Sequence, residues 1–176
     1  MKKLTMILSL VVLFAFTASA YAQTKGETDV TIGGDLFKNT NKSIGTSFSP
    51  NVMVGYYFMD KIRLDAGLGY NKAKGGDAGI PIMIGARYSY YAKDKMRING
   101  GLDLNYGLGK GNVVLDDKAK AVNPMSLKIT LADAEYWPME GGALTAGLFY
   151  SMNNLNVSGG DSGSFGVGLG VLVRFK

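Results

Sequence analysis

The sequence predicts an all-β fold: an eight-stranded antiparallel up-and-down transmembrane β-barrel, preceded by a cleavable signal peptide. Three observations predict it. Eight segments of the chain alternate apolar residues with small or polar ones at a period of two, the period of a strand with two different faces. Helical periodicity is absent after the first 22 residues. The connections between the segments alternate long and short and contain no crossover element, as in a run of hairpins, and eight strands suffice to close such a sheet into a barrel.

Met1 to Ala22 reads as the signal peptide. Lys2 and Lys3 form its positive start, Leu8 to Phe16 its apolar run, and Ala20-Tyr21-Ala22 a small-x-small cleavage site before Gln23. The run is shorter than the ~20 residues a spanning helix requires. No cysteine follows it, which excludes a lipid-anchored product. Residues 23–176 then make one domain. That domain has no disulfide framework, because the chain contains no cysteine. It also lacks histidine, the commonest general base and metal ligand. With Lys2 and Lys3 removed, the formal charge of +5 falls to about +3, and the basic residues are spread along the chain. No nucleic-acid surface is expected from that distribution.

The strands follow in order. Thr28 to Phe37 sets Val30, Ile32 and Leu36 against Asp29, Thr31, Gly33 and Asp35. Phe48 to Phe58 sets Val52, Val54 and Tyr56 against Asn51, Met53 and Gly55, with Pro50 near the strand start, where it is better tolerated than mid-sheet. After the Met59-Asp60-Lys61 turn, Ile62 to Asn71 sets Leu64, Ala66 and Leu68 against Arg63, Asp65 and Gly67. Ile80 to Tyr91 sets Ile82, Ile84 and Ala86 against Met83, Gly85 and Arg87. The Ala92 to Lys95 turn leads to Met96 to Gly109, where Ile98, Leu102 and Leu104 oppose Arg97, Asn99, Gly101 and Asp103.

Met125 to Trp137 is the least regular segment. Leu127, Ile129 and Leu131 share one face, but Ala134 and Tyr136 have the opposite parity, so a β-bulge is expected near Ala132-Asp133. Pro138 to Gly142 turns into Leu144 to Met152. The last strand, Phe165 to Phe175, carries Phe165, Val167, Leu169, Val171, Val173 and Phe175 on one face and Gly166, Gly168, Gly170, Leu172 and Arg174 on the other. The long connections are Lys38 to Gly45, Lys72 to Gly79, Lys110 to Pro124 and Asn153 to Ser164. Val113-Val114-Leu115 is the apolar exception within them and is expected to extend a strand into its connection.

The polar parity decides which face points outward. The exterior of a soluble barrel needs Lys, Glu and Thr, whereas this parity is mostly Gly with Asn, Ser, Arg and Asp. Most lysines fall in turns and loops, and only Lys128 lies well within a strand. Small residues and paired charges suit a narrow lumen. The apolar parity carries Tyr56, Phe58, Tyr70, Tyr88, Tyr90, Tyr106, Tyr150, Phe165 and Phe175 near strand ends, where membrane barrels place aromatic girdles. The apolar face is therefore expected to meet membrane lipid, which closure of the sheet makes possible.

Together the signal peptide, the eight alternating strands, the short turns on one side and the terminal Val171-Leu172-Val173-Arg174-Phe175 resemble the small outer-membrane β-barrel family of OmpA/OmpX type. Val54-Gly-Tyr-Tyr-Phe-Met-Asp-Lys61 running into Leu68-Gly-Tyr70 is similar to the hairpins of that family's barrel domain. The resemblance covers residues 23–176 and is one of pattern. It implies a location in the bacterial outer membrane and assembly by the barrel-assembly machinery, which reads a C-terminal strand of this kind. The matching positions here are Gly168, Val171, Val173 and Phe175. The family usually ends on the aromatic residue, whereas Lys176 follows it here.

On the lumen parity, Arg63, Arg87, Arg97 and Arg174 lie near the short-turn end of their strands, with Asp29 at the same end. Asp65 stands one inward step above Arg63, and Asp35 and Asp103 stand further up. The plainest reading is a charge cluster that closes the periplasmic end of a monomeric barrel, since each buried charge needs a partner. A narrow pore for small solutes and a surface-loop binding or adhesion module are the alternatives. No enzyme activity and no cofactor or metal are expected, because no nucleophile–base pair or ligand cluster is present in the pattern.

Overall fold

The structure is a computed structural model that describes residues 25–39, 46–72, 78–108, 111–115, 118–122, 124–156 and 162–175. The expected signal peptide, 1–22, and the middles of the four long connections lie outside the described residues. Among the described residues there are eleven strands: β1 (Thr28–Asn39), β2 (Thr46–Met59), β3 (Ile62–Gly69), β4 (Asn71–Lys72), β5 (Ala78–Lys93), β6 (Met96–Leu108), β7 (Gly111–Leu115), β8 (Lys118–Val122), β9 (Met125–Met139), β10 (Gly142–Asn153) and β11 (Ser162–Phe175).

Each wall strand pairs antiparallel with its neighbours in chain order, and β1 pairs with β11 from Thr28↔Phe175 to Asn39↔Ser164, which closes the sheet. On the other side β3 pairs with β5, and β4 continues the line of β3 beyond Tyr70 against the start of β5. Counting β3 and β4 as one wall strand, the barrel has eight. Closure leaves no sheet edge, so the wall backbone is satisfied without water. Strands β7 and β8 form a hairpin of their own within the connection from β6 to β9, so Val113-Val114-Leu115 belongs to a separate two-stranded sheet and does not extend a wall strand as expected.

Three turns join the strands at the short-turn end, at Asp60-Lys61, Asp94-Lys95 and Glu140-Gly141. Each contains one residue in the left-handed region: Lys61 (φ 67°), Asp94 (φ 50°) and Gly141 (φ 76°). Two-residue hairpin turns require such a conformation to match the twist of the flanking strands.

The outward face is the apolar one. On β6, Leu102 is 53% exposed and Leu104 46%, while Asp103 between them is fully buried. Leu64, Leu68, Ile84, Leu144, Leu148 and Leu169 continue this exposed belt around the wall. Tyr56, Phe58, Tyr88, Tyr90, Tyr91, Tyr136 and Phe175 ring it at the short-turn end, and Phe48, Tyr70, Tyr106 and Phe165 at the loop end. An exposed apolar belt between two aromatic rings is the exterior of a transmembrane barrel, not of a water-soluble one.

The expected bulge lies in β9. Its pairing with β10 steps from Leu148↔Ala132 to Phe149↔Thr130, leaving Leu131 as the extra residue, one position before the predicted pair. Further register shifts occur where the pairings skip Phe58 and Tyr90, both near the turns. The second leaves Tyr90 and Tyr91 both exposed, which a strict alternation does not allow.

Candidate functional site: the charged barrel interior

Inward parity and register together decide what meets inside. At the short-turn end Trp137, Ala143 and Leu172 form a small apolar floor. Above it the Asp29 carboxylate, fully buried, accepts hydrogen bonds from Arg174 Nε (2.6 Å), Arg174 Nη2 (2.8 Å) and Arg63 Nη1 (3.1 Å). Arg174 Nη1 also lies 3.3 Å from Glu27 Oε2. Its guanidinium stands 4.4 Å from the Trp137 ring and 5.2 Å from the Tyr57 ring, a desolvated cation–π arrangement. Arg97 stacks on Trp137 at 4.6 Å and lies 3.9 Å from Glu135. Glu135 in turn accepts from Asn99 Nδ2 (2.8 Å) and Trp137 Nε1 (3.2 Å).

The charges continue upward without a break. Asp65 sits between Arg63 Nε (2.7 Å) and Arg87 Nε (3.0 Å). Arg87 donates from Nη2 to both oxygens of Asp103 (3.2 and 3.1 Å) and from Nη1 to Thr130 Oγ1 (3.1 Å). Lys128 Nζ lies 3.8 Å from Asp103 and donates to Asp35 at 2.9 Å. The result is an alternating chain, Arg174–Asp29–Arg63–Asp65–Arg87–Asp103–Lys128–Asp35. It leaves β1 at Asp29, passes β3, β5, β6 and β9, and returns to β1 at Asp35.

Register shows why the chain fits. Arg63 is directly opposite Arg87, a pair of like charges that Asp65 must separate. Gly85 lies opposite both Asp65 and Asp103. A Cβ at Gly85 would overlap the Asp103 carboxylate, and one at Gly101 would lie 2.8 Å from Arg87 Nη1. The lumen glycines are thus the floor space into which neighbouring charged side chains lean.

The sequence-identified residues Asp29, Asp35, Arg63, Asp65, Arg87, Asp103 and Arg174 all occur in this chain, and Arg97 joins it through Glu135. The sequence reading left Glu27, Lys128, Asp133, Glu135 and Trp137 out of the interior charge cluster, and the alternation of β2 already put Tyr57 on the inward parity. The parity flip in β9 carried the signal for three of them. If Ala134 and Tyr136 face out, then Asp133, Glu135 and Trp137 face in. Of the four proposed assembly positions, Gly168 and Val171 lie along β11, Val173 is buried despite its outward parity, and Phe175 is half exposed at the strand end. Among the described residues, no group of three or more His, Cys, Asp or Glu side chains is placed to hold a metal ion.

Fold and interior together define the class: a small eight-stranded transmembrane β-barrel with a charged interior. No protein-family model matches the chain, and no curated protein sequence does. Solved structures do. The N-terminal β-barrel domain of OprF from Pseudomonas aeruginosa aligns with a TM-score of 0.61 at 16% identity, over 87% of this chain and all (100%) of that one. Neisserial surface protein A aligns with a TM-score of 0.60 at 18% identity, over 85% of this chain and 96% of that one. Ail, the attachment invasion locus protein of Yersinia pestis, aligns with a TM-score of 0.57 at 15% identity, over 86% and 100%. At these identities the likeness is one of fold.

Proposed function

We propose that the chain is a structural integral protein of the bacterial outer membrane, exported through its signal peptide and inserted as a monomer by the barrel-assembly machinery. Its lumen is plugged by the Arg/Asp network, and it has no catalytic activity of its own. The observation that carries this reading is the unbroken chain of ion pairs from Arg174 to Asp35, in which Asp29 and Asp103 are fully buried. An eight-stranded interior is only wide enough for side chains to fill, and these side chains neutralise one another across it. The likeness to OprF, Neisserial surface protein A and Ail supports the membrane setting. Refolded protein in planar lipid bilayers is expected to be electrically silent. Stable single-channel openings would overturn the plugged barrel in favour of a narrow pore for small solutes.

One observation favours a surface-binding role as a second reading. Hairpin β7–β8 pairs from Leu115↔Lys118 to Gly111↔Val122 outside the barrel sheet. A free strand edge there would suit addition of a partner strand. Deleting residues 113–120 is then expected to remove a surface interaction while leaving the barrel intact. Unchanged surface phenotypes after that deletion would eliminate this reading.

A further inference from the structure

A second charged feature lies outside the interior network, at the turn between β5 and β6. An open cleft of about 380 Å³ is lined there by Ala92, Lys93, Asp94, Lys95, Met96 and Arg97. Its volume falls in the ~300–1,000 Å³ range of small-ligand pockets. Arg97 bounds it from within, buried against Trp137 and 3.9 Å from Glu135. The other three charged groups, Lys93, Asp94 and Lys95, are exposed. Among the described residues the Lys93 ammonium has no hydrogen-bond or ion-pair partner, and Lys95 Nζ reaches only the Pro138 carbonyl oxygen, at 3.4 Å. Of the three short turns this is the one with two lysines. The first has Lys61 beside Asp60, whose carboxylate accepts from Lys25 N, and the third has Glu140 and no lysine.

Register explains why a cation and aromatic rings arrive together. Ser89 pairs with Asn99 and Tyr91 with Ile98, so Tyr90 is the extra residue of a bulge. Residues directly opposite share a face. Tyr91 therefore lies with Ile98 on the outward parity, Lys93 with exposed Met96, and Ala92 with Arg97. Without the extra residue Tyr91 and Lys93 would take the inward parity, and Lys93 would enter the interior near Arg97. The bulge instead turns both outward, onto the side of Tyr88 and Tyr90. The lysines thus stand just beyond the tyrosine ring, where the lipid-facing belt meets water. A cleft continuous with that belt suits the polar end of a lipid, and exposed ammonium groups at that level attract anionic headgroups.

We infer that this turn is a binding site for the headgroup of a monoanionic phospholipid. The Lys93 and Lys95 ammonium groups take the phosphodiester oxygens. Two lysines and Asp94 leave one net positive charge at the rim, which matches one phosphate. The Asp94 carboxylate accepts from headgroup hydroxyls, which phosphatidylglycerol carries and phosphatidylcholine lacks. Tyr88, Tyr91 and Met96 flank the glycerol and the upper acyl chains.

The test uses the refolded barrel in detergent micelles carrying equal amounts of phosphatidylglycerol and phosphatidylcholine, read by native mass spectrometry. The parent is expected to retain phosphatidylglycerol over phosphatidylcholine by about five-fold, the preference that one net charge confers on an anionic lipid. The double variant Lys93→Gln/Lys95→Gln is expected to abolish that preference. The control Lys25→Gln/Lys61→Asn removes two lysines elsewhere on the same end and is expected to keep it. All four side chains are exposed and outside the interior network, so both variants are expected to fold as the parent does, checked by heat-modifiable migration on a gel. Millimolar inorganic phosphate is expected to leave the lipid in place. No preference in the parent, an undiminished preference in Lys93→Gln/Lys95→Gln, or an equal loss in both variants would each overturn the inference, the last by showing a diffuse positive surface. Displacement by inorganic phosphate would overturn it in favour of a soluble anion.

Discussion

Replacing Arg174 by Ala breaks the interior network at its short-turn end. The side chain is buried and makes hydrogen bonds of 2.6 and 2.8 Å to Asp29, a 3.3 Å approach to Glu27, and stacking contacts with Trp137 and Tyr57. Breaking a buried ion pair by removing one partner costs about 3–5 kcal/mol, because the other charge is left uncompensated. Asp29 keeps Arg63 at 3.1 Å, so the loss should fall at the lower end, about 3 kcal/mol. The assay is urea unfolding of the refolded barrel in lipid vesicles, followed by heat-modifiable migration, with exposed Lys93→Ala as the control. The control should stay within about 0.5 kcal/mol of the parent. The Arg174→Ala deficit should persist at high salt, because a buried pair is screened far less than a surface one. An Arg174→Ala barrel as stable as the control would refute the view that these ion pairs hold the lumen together.

Asp29→Asn should cost more than Arg174→Ala, about 4 kcal/mol, because Asp29 serves two guanidinium groups; the same urea titration checks the order. Leu102→Arg places a charge in the middle of the lipid-facing belt and should cost about 2–4 kcal/mol in vesicles. Deleting Leu131 removes the extra residue of the β9 bulge and leaves Lys128, Thr130, Asp133 and Glu135 on one inward parity, so the variant should still acquire heat-modifiable migration, and its loss would contradict the assignment of Leu131 as the extra residue. N-terminal sequencing of the protein recovered from envelopes should begin at Gln23, and retention of Met1 would contradict the cleavage site.

The fold was legible because a membrane barrel states its faces at a period of two on every strand. Val52-Met53-Val54 and Leu102-Asp103-Leu104 show the lipid side and the lumen side within three residues each. Closure was legible from the even run of hairpins. What alternation does not encode is register. Arg63 standing opposite Arg87, with Asp65 between their side chains, depends on how far β3 has slid against β5. Lys128 was visible as a lone lysine within a strand, but its pairing with Asp35 spans 93 positions of sequence and joins β9 to β1 across β10 and β11. Glu135 and Trp137 were hidden by the bulge, since reading through Leu131 without the skip puts them on the lipid side. The register shifts near Phe58 and Tyr90 left no pattern, because an aromatic side chain near the membrane interface is acceptable on either count.

The central claim is that the odd and even residues of each wall strand occupy different media, one lipid and the other a charged interior. The chain has no cysteine, so a nitroxide attached to a single introduced cysteine is unambiguous. Scanning 98–108 along β6 in lipid vesicles, collision rates with oxygen should peak at the even positions Leu102, Leu104 and Tyr106. They should fall at the odd positions Gly101, Asp103 and Asn105. An inverted pattern, or equal access to a water-soluble reagent on both parities, would contradict the account.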